Sequence, residues 1–451
     1  MGQQIEALAK FAAETRWETV PAPVQRHTKL VLLDTIGVML AGSVRPEVAQ
    51  VRERMAATAG TGATVYARGW PTQDPRTAAL LNGIAGRAIE LCEGLRLVTG
   101  QAAMQILPGI LSVGEHARAS GKTLLAALVS GYDVAARLGM GFTPRPLAHQ
   151  NGQAMLLAAA AAGARMRGLD AAGVSRAMRI SAVLMMTPSY MNTGAGATAL
   201  NIAGGMSGFA GALAPDLALA GIESKDDAIE EALGKMVGDG FSTEHLLDDL
   251  GTRWEITRNY FRLYACCNPI HPALDVLKAA LAELKPRAAE IERIEFATYR
   301  FASVMRGANP PNYFASKYSL PHAAAVMVVR GRAQHADIDD SALLDPVITA
   351  LRQRVSVVED PAMSAVAPRL RPARVTVTLK DGRTATHACE SHEGDFNQPY
   401  AESVLREKYR ELAAHVLDAK GVAHVEQAID RCDEWTSVAD FTALLRKQNT
   451  S

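Results

Sequence analysis

Small residues set at helical spacing through the first half of the chain restrict its fold more than any other feature. From Ile5 to about Ala220 the apolar positions recur at i, i+3 and i+4. The run Val24–Gly42 shows this with Leu30, Leu33, Ile36, Gly37 and Leu40, and Gly42 closes it. Further helices are predicted near Arg76–Leu97, Gln101–Ala119, Thr123–Leu138, Gln153–Gly168 and Ala171–Met185. Many are rich in Ala and Gly, and aromatic residues make up only 5% of the chain. Helices with such surfaces can approach closely, as in a bundle buried on most sides. The most apolar run, Ala154 to Ala164, ends at Arg165. It is too short to span a bilayer and reads as a buried helix, so no membrane partner is expected.

After about Ala265 the period changes. Ile291–Tyr299 alternates as a strand does, and Val355–Val358, Arg374–Leu379 and Thr384–Cys389 are further strands, the last two joined by a turn at Lys380-Asp381-Gly382. Helices are predicted at Ser319–Arg330 and Ser341–Arg354. Strands and helices that do not alternate strictly point to an α+β unit, not a Rossmann sheet. From Tyr400 onward the pattern is helical again. The expected architecture is therefore mainly α, a large all-α domain over 1–264 to which 400–451 returns, with a smaller α+β domain at 265–399. At 451 residues two domains are the default. No internal repeat or low-complexity segment is visible.

Lys+Arg and Asp+Glu both number 47. A nucleic-acid partner would call for a basic excess, so a small molecule or a protein is the expected partner. The five cysteines (Cys92, Cys266, Cys267, Cys389, Cys432) follow no zinc-ligand spacing, and reduced cytoplasmic thiols are expected. Met1-Gly2-Gln3-Gln4 opens no signal peptide. Gly204-Gly205-Met206-Ser207-Gly208 lacks the lysine and the preceding strand of a phosphate loop and reads as a helix contact.

Several segments, in order, resemble the MmgE/PrpD family, which holds 2-methylcitrate dehydratase, cis-aconitate decarboxylase and iminodisuccinate epimerase. They are LLDTIGVMLAG (Leu32–Gly42), AALLNGIAGRAIELCEG (Ala78–Gly94), LPGILSVGE (Leu107–Glu115), LLAALVSGYDVAARLG (Leu124–Gly139) and the run from His149 to Asp170. FRLYACCNPIH (Phe261–His271), SKYSLPHAAAVMVVRG (Ser316–Gly331), RVSVVEDP (Arg354–Pro361) and EGDFNQPY (Glu393–Tyr400) follow. The resemblance implies the MmgE/PrpD fold, a homodimer, and a site between the two domains. It also implies a cofactor-independent lyase, isomerase or epimerase that removes a proton beside a carboxylate or carbonyl of a small organic acid.

Site residues follow from the same resemblance. His149 stands where the family carries an active-site histidine, and a helix start would keep it uncharged and able to act as base. Glu90 and Glu93 replace two family aspartates and, three apart, would share one helix face. Arg262 replaces a family lysine as an anion clamp that cannot give up a proton at neutral pH. Gln101 replaces a histidine, Arg87 another, and His322 the tyrosine of a Ser-Leu-Pro-Tyr motif. His149, Glu90 and His322 are thus the catalytic candidates, with Arg262, Gln101, Glu93, Cys267 and His271 as substrate-binding ones. No metal ligand set and no organic cofactor are expected. No lysine occurs between Lys122 and Lys225, so the family's catalytic lysine is missing. The substrate is therefore expected to differ from 2-methylcitrate. The alternatives are an inactive paralogue that binds a small molecule or protein, and a hydrolase using Cys267.

Overall fold

The computed structural model describes residues 2–55, 62–66, 72–98 and 100–446. Helices dominate. α1 (Gly2–Glu14), α2 (Ala22–Ser43), α3 (Pro46–Met55), α4 (Pro75–Ala88), α5 (Ala102–His116), α6 (Gly121–Gly141), α7 (Ala154–Met166), α8 (Ala171–Ser181) and α9 (Ile202–Leu219) build the first half. α9 packs against α4, α5 and α7. Glycine is required at these crossings: a Cβ on Gly163 would lie 1.8 Å from the Gly211 carbonyl oxygen, and one on Gly83 would lie 2.6 Å from that of Gly204. The glycines of 204–208 serve this close approach. Thr198–Leu219 is long and apolar enough to cross a membrane, yet most of it is buried inside the protein.

Two sequence expectations fail here. The helix expected over Arg76–Leu97 ends at Ala88, and Glu90 takes a left-handed backbone, φ 51°. Gly94–Leu95 then pairs with Asn259–Tyr260 as a short antiparallel ladder. Glu90 and Glu93 therefore share no helix face. The helix expected over Ser341–Arg354 breaks at Asp345, whose side chain caps the next helix at Val347 and Ile348. Pro346 forces that break, since it cannot continue a helix but suits its first position.

The second half holds a four-stranded sheet. β1 (Ile291–Thr298) lies parallel to β2 (Val355–Glu359) and antiparallel to β3 (Ala373–Leu379), which pairs with β4 (Thr384–Cys389). α10 (His271–Leu284) covers β3 and β4, and α11 (Leu320–Arg330) packs on α10 and on α12 (Pro346–Arg352). The residues at 264–385 form one apolar cluster, to which Val38, Ile89, Leu91 and Leu200 also belong.

The last helices, α13 (Glu402–Ala413), α14 (Ala419–Asp430) and α15 (Val438–Arg446), rejoin the first cluster. Tyr409 lies against Gly37 of α2, and buried Lys408 donates to Asp34 at 2.6 Å and to the Leu91 carbonyl at 2.9 Å. We propose that both chain ends form one folding unit. A chain ending at 399 would expose the partners of Leu405, Tyr409, Leu412, Val425, Ile429, Phe441 and Leu445, all buried. At roughly 1.5–3 kcal/mol for each large apolar side chain, the loss rivals a whole domain's stability of about 5–15 kcal/mol. The truncated chain is expected to lose near-ultraviolet circular dichroism and to aggregate. A soluble, cooperatively melting product would refute the shared unit.

Candidate active site

A cavity of about 360 Å³ is lined by residues from both halves of the chain, from Arg87 to Arg371. Two buried arginines and one carboxylate define its chemistry. Arg87, in the last turn of α4, ion-pairs with Glu90, and Arg262 Nη1 reaches Glu90 Oε1 at 2.5 Å and the Glu90 carbonyl at 3.0 Å. The Tyr318 hydroxyl donates to Glu90 Oε2 at 3.0 Å and accepts from Arg87 Nη2 at 2.7 Å. All four side chains are almost fully buried. Two guanidiniums thus share one carboxylate, which leaves a net positive charge facing the cavity. A left-handed backbone costs a non-glycine residue on the order of 1–3 kcal/mol, and these contacts hold Glu90 there.

His149 lines the same cavity but lies five residues before α7 begins, so no helix dipole acts on it. Its ring stacks on Tyr190 with centroids 5.5 Å apart, and its backbone N–H donates to the Pro188 carbonyl. Burial, followed by repulsion from Arg87 and Arg262, pushes its pKa down to about 3. The ring is neutral, as the sequence reading expected, but for a different reason. The Asn151 backbone N–H donates to His149 Nδ1 at 3.2 Å. That hydrogen bond assigns the neutral ring's hydrogen to Nε2, so the ring's remaining polar atom is a donor, not the acceptor a general base would need. The Tyr190 hydroxyl beside it is buried and has no hydrogen-bond partner among the described residues. Burial raises its pKa and keeps it protonated.

Of the other candidates, Gln101 and Cys267 line the cavity. Gln101 sits at the N-cap of α5 with its side-chain oxygen buried and without a hydrogen-bond partner among the described residues. Burial raises the Cys267 thiol's pKa, which leaves it a poor nucleophile and counts against the hydrolase reading. Three candidates do not reach the cavity. Glu93 points into the helical core, where it accepts from the Ala103 backbone N–H at 2.9 Å, from Tyr132 and from Asn259. Burial raises its pKa to about 7. His271 is fully buried, donates to the Cys266 carbonyl and packs edge-on to Tyr264. His322, also fully buried, accepts from Arg352 at 3.3 Å within the second cluster.

Sequence reasoning missed Tyr190, Tyr260, Asn268, Tyr299, Tyr318 and Arg371 on the cavity wall. Tyr318 and Asn268 carried a signal, through their places in SKYSLPH (Ser316–His322) and FRLYACCNPIH (Phe261–His271).

The MmgE/PrpD N-terminal domain model matches residues 6–244, and the C-terminal domain model matches residues 264–434. A cis-aconitate decarboxylase-like protein of Aspergillus oryzae is 23% identical over 98% of this chain and 97% of its own length. The cis-aconitate decarboxylase of Aspergillus terreus is 23% identical over 97% of this chain and 95% of its own length. That of Mus musculus is 23% identical over 93% and 89%. The chain belongs to the MmgE/PrpD family.

Proposed function

We propose that this protein is a lyase that decarboxylates a small organic acid. One observation carries the reading: the cavity pairs an excess of buried positive charge with neutral proton donors and, among the described residues, holds no poised base. Glu90 is engaged by two guanidiniums and a phenol, His149 presents an N–H, and the Cys267 thiol is pushed up. Proton abstraction, the sequence-based expectation, needs a free acceptor. Loss of carbon dioxide needs none. The bond to the departing carboxylate breaks, and its electron pair passes to carbon and onto a neighbouring carboxyl group of the substrate. His149 Nε2–H and the arginines stabilise the oxygen on which charge collects, as a neutral imidazole does elsewhere. The Tyr190 hydroxyl then gives its proton to carbon and is reprotonated by water. The electron sink is the substrate's own carboxyl group, so the step calls on no cofactor. The names of the relatives support this reaction class, and the missing lysine supports a substrate other than 2-methylcitrate.

A panel of unsaturated and β-keto acids, with cis-aconitate and 2-methylcitrate included, tests the reading in deuterated water. Carbon dioxide release with one deuterium in the product is expected. Deuterium entering recovered substrate without carbon dioxide release would replace the lyase by an epimerase. Tight binding without either reaction would favour an inactive binding paralogue.

A further inference from the structure

Tyr260 stands beside the Arg87–Glu90–Arg262 cradle and also beside a second guanidinium. The centres of Arg262 and Arg371 each stand 5.6 Å from the Tyr260 ring centroid. Arg371 is 8% exposed and lines the cavity. It donates to Asn268 Oδ1 and, at 3.0 Å, to the Arg96 carbonyl. Both acceptors are neutral. Among the described residues no carboxylate pairs with Arg371, because the neighbouring Asp395 is taken by Arg96 Nε at 2.5 Å. Arg96 itself is another cation, and its pKa is lowered by burial and then by Arg371. A buried charge without a counter-ion is costly unless something supplies the opposite charge.

The orientation of Arg371 is fixed from behind. Asn268 must turn Oδ1 to the guanidinium, so its Nδ2–H donates to His392 Nε2. His392 is fully buried and in this geometry is an acceptor at Nε2. The Arg371 guanidinium can only donate, so it fixes the amide orientation of Asn268, and that orientation calls for an acceptor at His392 Nε2.

We propose that Arg371 is a second, specificity-determining anchor for a carboxylate, with Asn268 and His392 as its positioning residues. A ligand would then bridge the Tyr260 ring, one carboxylate on the Glu90 cradle and another on Arg371. This rests on the organic-acid reading above but not on decarboxylation.

Isothermal titration calorimetry with succinate and glutarate against butyrate tests it without turnover. The protein is expected to favour a diacid over butyrate by on the order of tenfold to a hundredfold, the worth of one charge-assisted contact. Arg371→Met is expected to remove that margin and leave butyrate affinity unchanged. Its melting temperature is expected to hold or rise, since a volume-matched apolar group for a buried charge is often neutral or stabilising. A merely structural arginine predicts the reverse, a lower melting temperature with the margin kept. His392→Leu is expected to shrink the margin several-fold, whereas His392→Gln, which keeps an acceptor, restores most of it. Equal affinities for all three acids in the unmodified protein, or a full margin in Arg371→Met, would overturn the anchor. A full margin in His392→Leu would overturn the positioning role. Diacid preference without any carbon dioxide release would uphold the anchor and sink the decarboxylase reading alone.

Discussion

His149→Phe is expected to lower turnover by roughly a hundred- to a thousandfold, the cost of removing one hydrogen-bond donor from a site of developing charge. The apparent melting temperature should move little. Phenylalanine keeps the stack on Tyr190 (centroids 5.5 Å) and leaves only the Asn151 N–H without its acceptor. His149→Gln separates donor from base. A side-chain amide can offer an N–H but cannot accept a proton at neutral pH, so a donor role predicts partial activity in the Gln variant and a base role predicts none. The pH profile gives an independent reading. The ring's pKa is depressed from 6.5 to about 3, so the neutral form persists from alkaline pH down to about 4. kcat/KM should therefore show no inflection near pH 6.5. An inflection there that vanishes in His149→Gln would mean that the ring titrates in the working range, and the neutral-donor assignment would fall.

His149 also shows what the sequence can and cannot carry. Its position was legible through the family resemblance, which places an active-site histidine at the entry to the Ala-rich helix. Its chemistry was not, because the tautomer depends on one backbone N–H two residues away, at Asn151. Periodicity located five of the six helices it bounded in the first half, and all four strands of the main sheet, to within a few residues, since burial on one face or stripe dictates the spacing of apolar residues. It failed at Ile89 and Glu90. Nothing in AIELCEG (Ala88–Gly94) is a helix breaker before Gly94, and where the helix ends Glu90 meets Arg262, more than 170 residues on.

His322 and His271 were reached through motif position alone. In three dimensions each side chain is turned away from the cavity, toward Arg352 and the Cys266 carbonyl respectively. Arg371 left no trace in the sequence, because an arginine two residues before a strand is commonplace. Its significance lies in the absence of a paired carboxylate among the described residues, which only the packing of Arg96, Asp395 and Asn268 reveals.

Glu90→Gln should have the largest effect on stability of any single change at the site. The carboxylate is the shared counter-ion of Arg87 and Arg262, and their side chains are each 1% exposed. Neutralising it leaves two guanidiniums side by side with no anion between them, and breaking a buried pair in this way typically costs about 3–5 kcal/mol. The left-handed backbone at Glu90 would lose the contacts that hold it, which adds to the loss. An apparent melting temperature several degrees lower is expected by calorimetry, read at a fixed scan rate because a chain of this size can unfold irreversibly. The defect should be one that anions repair. With no internal carboxylate the cradle carries one more uncompensated positive charge, so succinate should bind the variant more tightly than the unmodified protein. Ligand at a hundred times its Kd stabilises the folded state by about 2.7 kcal/mol, enough to recover a large part of the loss. Turnover should nonetheless fall, because the added affinity is gained by the ground state and not selectively by the transition state. A variant that melts like the unmodified protein, with no greater response to succinate, would mean that Glu90 is not the counter-ion that sets the charge of this cavity.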